Sequence, residues 1–131
     1  MKSESKIINN QIDLIKREDQ IYIYRALPKS SIDLETLKQM TAAGDEWNGT
    51  RLCANLIDIR DVLFIDSKAR AFASEQFRPY VAGQAMLISS QISSYFANIF
   101  LKFNKPKVPT KLFTKEEEAI AWLKAKMQMH K

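Results

Sequence analysis

Few residues in this sequence have the chemistry for catalysis or metal binding. There is one histidine, His130, beside the C-terminal residue, and one cysteine, Cys53, inside an apolar run. A thiol and an imidazole together can form a nucleophile and its base, but here one belongs to a core strand and the other to a chain end. A zinc site needs several such ligands, and two residues cannot supply it. Asp58, Asp61 and Asp66 follow a single apolar run. Carboxylates at the carboxyl end of a parallel strand could hold a divalent cation. Caps, turns and pairing with Arg60, Lys68 and Arg70 account for the same three residues, so no metal and no cofactor is expected. Gly44, Gly49 and Gly83 are isolated, and no glycine-rich phosphate loop is formed. No nucleophile, base and electrostatic stabiliser can be assembled, so the chain is expected not to be an enzyme.

The richest pattern is a stretch at 91–103. Tyr95, Phe96, Ile99, Phe100 and Phe103 recur at helical spacing, with Ile92, Ala97 and Leu101 widening the stripe. A helix packing one face on a sheet needs an apolar stripe of only about 100°. This helix is therefore expected to be a deeply packed core element, a dimer interface, or a cover over an apolar ligand or membrane surface. Lys102, Lys105, Lys107, Lys111 and Lys115 follow, with no acidic residue between the first and the last. Apolar groups flanked by lysines suit an anionic lipid surface. No nucleic-acid motif accompanies them and the aromatics keep core spacing, so nucleic acid is not the expected partner.

The elements that position these residues read as β-β-α-β-α-β-α-β-α. Strands are predicted at 12–16 and 21–24, joined by the polar turn 17–20. A helix over 31–47, capped by Ser31 or Asp33, stops at Asn48-Gly49. The run 52–59 suits a strand buried on both faces. A helix capped by Asp66 or Ser67 runs to about 78. A strand at 85–88, the apolar helix 91–103 and a strand at 108–113 follow. Thr114 and Glu117 form a capping box for the last helix, whose stripe is Ile120, Leu123 and Met127. Alternation of strand and helix implies right-handed crossovers and a mostly parallel sheet. The expected fold class is thus α/β, with about five strands in the central sheet, an N-terminal β-hairpin and four helices.

The whole chain, 1–131, is expected to form one domain with residues 1–5 frayed, since 131 residues fit a single core. Apolar residues make up 46% and charged residues 27%, proportions of an ordinary globular protein. One cysteine permits no internal disulfide, and no apolar leader or membrane-length run is present. A cytoplasmic location, with peripheral membrane contact as a variant, is therefore expected. The net charge is +5, compatible with an anionic partner surface.

The element order and several local stretches resemble the STAS domain, the family of anti-sigma-factor antagonists. The segment from Asp58 through Ile59, Arg60, Asp61, Val62, Leu63, Phe64, Ile65, Asp66, Ser67, Lys68 and Ala69 is similar to that family's central motif. There a strand ends in an acidic residue, and an apolar stretch leads to an Asp-Ser-Ser-Gly turn that opens a helix. Pro109 to Thr114, Glu118 to Leu123, Ala97 to Phe100 and Asn104 to Pro106 resemble the SpoIIAA-like branch of uncharacterised bacterial proteins. The resemblance implies a non-catalytic regulatory or protein-interaction module, docking through Asp66, Ser67, Lys68 and Arg70. The serine phosphorylated in the antagonists is replaced by Lys68 and the following glycine by Ala69, so the usual phosphoserine switch is absent; Ser67 matches only the first serine. The partner is an unidentified protein, with a homodimer through the 91–103 helix expected. The alternative reading is a carrier or sensor of an apolar ligand or anionic membrane surface.

Overall fold

The computed structural model describes residues 4–76, 78–89, 98 and 107–130. Two asparagines make the first turn. Asn9 and Asn10 both lie at positive φ, 51° and 56°, a region asparagine tolerates better than most side chains. The Gln11 amide donates to the Ile8 carbonyl at 3.0 Å. This turn joins β1 (Glu4–Ile8) to β2 (Ile12–Lys16), antiparallel from Glu4 opposite Lys16 to Ile8 opposite Ile12. The frayed N-terminus expected from the polar sequence is corrected here: Glu4 and Ser5 are paired strand residues. The polar turn after Lys16 then brings β3 (Ile21–Ala26) antiparallel to β2.

Beyond β3 the sheet is parallel. It continues through β5 (Cys53–Asp58), β7 (Val81–Leu87) and β8 (Thr110–Phe113), giving the order β1-β2-β3-β5-β7-β8. Six strands form this sheet rather than about five, because β1 adds an edge. β4 (Ser30–Ile32) and β6 (Val62–Ile65) pair as a separate parallel two-stranded sheet. Neither short strand was predicted. Ser31, expected as a helix cap, is a strand residue, and the apolar stretch after Asp61, expected to connect strand to helix, is its partner strand. β7 starts four residues earlier than predicted, because Gly83 is a strand residue and not a break.

Three helices are present among the described residues: α1 (Leu34–Asn48), α2 (Ser67–Glu75) and α3 (Glu116–Met129). The fourth expected helix, 91–103, lies outside them except for Asn98, which is helical and exposed. Asp33 caps α1 by accepting from the Thr36 amide at 2.8 Å, and Gly49 ends it at φ 62°. The Thr114 capping box does not form. Lys115 takes the N-cap position without a side-chain cap bond, and Glu116 is the first helical residue, its carboxylate committed to Arg25 instead.

Strand alternation sorts the core into two layers. Ile21, Ile23, Ala54, Leu56, Ala85 and Leu87 face α3 and meet Ala119, Ile120 and Leu123. On the other face Tyr22, Tyr24, Cys53 and Met86 join Leu37, Met40 and Ala43 of α1 and Ala69 of α2. The β1–β2 turn is tied to α1 by Asn9 Nδ2 donating to Thr36 Oγ1 at 2.7 Å, and Lys6 lies over the Trp47 ring at 4.7 Å. Together these elements form an α/β fold around a mostly parallel central sheet.

Candidate functional site

The acidic residue ending β5 is not available to a cation. Asp58 is buried, with 4% of its side chain exposed. Arg60 donates to it through Nε at 3.0 Å and Nη2 at 2.8 Å, and its backbone amide adds a bond at 3.1 Å. Arg25, from β3, donates through Nη1 at 2.6 Å and also grips Glu116 at the start of α3. Burial alone would raise the Asp58 pKa. The Arg60 hydrogen bonds and the charges of Arg60 and Arg25 outweigh it and hold the carboxyl below its ordinary range. Two carboxylates and two guanidiniums thus neutralise one another and join β3, β5 and α3. Arg25 and Glu116 were not singled out from the sequence, because 91 positions separate them. Asp61 is exposed and Asp66 occupies the N-cap position of α2 without a side-chain cap bond. Among the described residues no group of three or more His, Cys, Asp or Glu could hold a metal ion.

The thiol and the imidazole are far from reactive geometry. Cys53 is buried, and burial, with a contribution from the Asp45 charge, pushes its thiol up to about 11. His130 is an exposed residue just beyond the end of α3.

The expected docking segment stays at the surface. Ser67 is the first residue of α2 and is exposed, as is Lys68; Asp66 and Arg70 are partly exposed. The Arg70 guanidinium donates through Nη1 to the Ile65 carbonyl at 2.7 Å, fixing the entry into the helix. Immediately before it, β6 presents two large apolar side chains to solvent, Leu63 at 60% and Phe64 at 52% exposure. Both fall within the stretch that resembles the central motif, where nothing in the local pattern marks them as exposed. Of the expected anionic-surface residues, Lys107 and Lys111 are exposed, and Lys111 stacks over Phe113 at 5.4 Å. Lys102 and Lys105 lie outside the described residues, as do Tyr95, Phe96, Ile99, Phe100 and Phe103.

Sequence reasoning missed a cavity of about 340 Å³ between the central sheet and helices α1 and α2. Its walls include Leu37, Met40, Ile57, Ile65 and Met86, and its floor includes Tyr22, Asn55 and Gln84. Among the described residues no helix is long and apolar enough to cross a membrane.

The model of a domain of unknown function, DUF7793, matches residues 15–127. No curated protein matches the chain significantly. Among solved structures, the chain is similar to an uncharacterised protein of the DUF3478 family with a SpoIIAA-like fold, from Shewanella loihica PV-4. The two share 17% identity over 86% of this chain and 91% of that one, with a TM-score of 0.56. A protein of unknown function from Arthrobacter sp. FB24 is 21% identical over 85% of this chain and 97% of that one, with a TM-score of 0.32. The first of these bears on the fold, and it supports the SpoIIAA-like architecture that the residues led us to expect. The DUF7793 match runs through most of the chain, from β2 to within a few residues of the end of α3, and the protein therefore belongs to that family of domains of unknown function.

Proposed function

We propose that this protein is a non-catalytic regulatory module that binds a protein partner through the surface at the start of α2. The observation that carries this reading is the exposure of Leu63 and Phe64 directly ahead of Ser67 and Lys68. Leu63, the more exposed of the two, keeps most of its apolar surface in water, a cost that a partner would remove. Together the two side chains offer on the order of 200 Å² of apolar area, enough for the centre of a small interface but not a whole one. Lys68 and Asp66 beside them supply polar groups of both signs for the rim. Lysine at position 68 makes docking independent of serine phosphorylation there, so control would come from the partner or from a ligand. The anion cluster at Asp58 fits a structural role in such a module, since its charges are already paired.

The test is site-specific photocrosslinking in the native cells, with the photoreactive residue at position 64 and, as a control, at the exposed Met129. A discrete adduct from position 64 that disappears in the Leu63→Ser, Lys68→Glu variant is the expected result. An adduct of twice the chain mass would make the partner a second copy. No adduct at position 64, or the same adduct from position 129, overturns the reading.

A further inference from the structure

The cavity floor carries a polar row that a simple core would not contain. In the sheet register Tyr22 of β3 lies beside Asn55 of β5, and Asn55 lies beside Gln84 of β7. Register neighbours in a sheet point to the same face, and all three residues line the cavity. The next row along the same face, Tyr24, Ile57 and Met86, is largely apolar. The polar row is thus a single band across an otherwise apolar surface.

The row turns its polar groups to this space. The side-chain amides of Asn55 and Gln84 are half-buried and line the cavity. Tyr22 is 1% exposed, and its enclosed hydroxyl makes no hydrogen bond of good geometry, with the Arg51 guanidinium the polar group nearby. Burial raises the Tyr22 pKa, with the nearby Arg51 charge countering part of the effect, so at neutral pH the group is a phenol and can donate. Asn48, at the end of α1, also lines the cavity. It is 8% exposed, and while its Nδ2 donates to the Arg51 carbonyl at 2.8 Å, its Oδ1 is left without a partner. Each buried polar group left unsatisfied costs about 1–3 kcal/mol. Enclosed groups of this kind are usually satisfied by ordered water, an ion or a ligand.

We propose that this cavity is a binding site for a small, uncharged amphiphile: an apolar body seated against Leu37, Met40, Ile57 and Met86, and a planar head carrying both a donor and an acceptor, such as a carboxamide or a neutral lactam-type heterocycle, lying on the Tyr22–Asn55–Gln84 row. The volume falls within the range of small-molecule pockets, and the mix of apolar wall and few polar groups is their usual composition. Two features favour an uncharged head. Side-chain amides offer donor and acceptor together, which matches a group that does the same. The Asp45–Arg78 pair in the lining is already neutralised by its own contact. Arg70 of α2 also lines the cavity, its Nη1 engaged with the Ile65 carbonyl and its Nε enclosed without a partner, so a carboxylate is the competitor that the test must separate.

Three probes of one shape separate the possibilities: 3-phenylpropanamide, 3-phenylpropanoate and propylbenzene. Each is titrated into the intact wild-type protein, followed by the side-chain NH2 signals in ¹H–¹⁵N spectra. The signals of Asn55 and Gln84 are assigned from their loss in Asn55→Leu and Gln84→Leu. The amide is expected to shift both signals and to bind about tenfold more tightly than either other probe. In each Leu variant that preference is expected to fall about tenfold while propylbenzene binding holds. A carboxylate that binds as well as the amide would assign the site to an anion held by Arg70. Propylbenzene binding as well as the amide would mean that the row reads nothing. No shift from any probe would mean a cavity filled by water alone. Each of these three results overturns the proposal, and each is read from probe binding to the wild-type protein.

Discussion

Asp58 is the most buried member of the Arg25–Asp58–Arg60–Glu116 cluster, and its titration should be visible in the stability of the protein. Its folded pKa is lowered. The stability it contributes is therefore complete above the ordinary aspartate value of about 4 and is lost as pH falls through the folded value. Asp58→Asn is expected to cost on the order of 2–3 kcal/mol near neutral pH, less than a fully enclosed pair would, because both arginines keep access to water. Urea unfolding between pH 6 and pH 2 checks this: wild type should lose stability steeply below about pH 4, and the variant should show a flatter slope. Gln20 offers the opposite change. It sits at φ 66° in the β2–β3 turn, with its Oε1 enclosed and unpartnered. Gln20→Gly is expected to stabilise by roughly 0.5–1 kcal/mol, since glycine adopts that backbone without strain. A higher midpoint in urea at unchanged slope would establish it. The 17–20 turn was legible from its polar composition. That Gln20 would carry the left-handed residue was not, because asparagine or glycine is the usual occupant.

At the scale of elements, α1 approaches the sheet closely at Gly44. A Cβ there would lie 1.9 Å from the Tyr24 hydroxyl oxygen and 3.1 Å from the ring carbon that bears it. Tyr24 stands on β3 and is buried, so the ring cannot swing away freely. Gly44→Ala is expected to cost about 2 kcal/mol or more by overpacking. Adding Tyr24→Phe removes the clashing oxygen and should recover most of the loss; circular dichroism melts of the single and double variants measure the coupling. If Tyr24→Phe gave no recovery, the helix propensity of the site and not this contact would be in control. Gly83 has the same role on the other face, where a Cβ would press on Trp122 and Lys126 at 3.2 Å. Neither glycine stood out in the sequence beyond being isolated, since one-dimensional patterns do not show what packs against a missing side chain. β1 was equally hidden. Its sequence alternates only weakly, and the Asn9-Asn10 pair before an apolar run was the one local sign of a hairpin.

For the whole molecule, the two faces of the sheet serve different ends. The α3 face is closed by aliphatic packing and by the Arg25–Asp58–Glu116 cluster; the α1–α2 face holds the cavity. A core with open space and a polar band is not at its stability optimum. The combined Asn55→Leu, Gln84→Leu variant is expected to be more stable than wild type in the absence of ligand, by roughly 1–2 kcal/mol, or a few degrees in Tm for a chain of this size. A thermal melt that moved downward instead would show that the two amides support the fold. The sequence by itself determined the fold class, the main strands from β2 onward other than β4 and β6, and the lysine at position 68, because these depend on local periodicity and on which side chain stands at one position. It also marked the start of α2 as exposed and polar. The tertiary structure decided the pairing of Arg25 with Asp58 and Glu116, the six-strand order, the exposure of Leu63 and Phe64, and the alignment of Tyr22, Asn55 and Gln84 around one cavity. Each of these depends on strand register and layer packing, which join residues dozens of positions apart and leave no periodic trace in the chain.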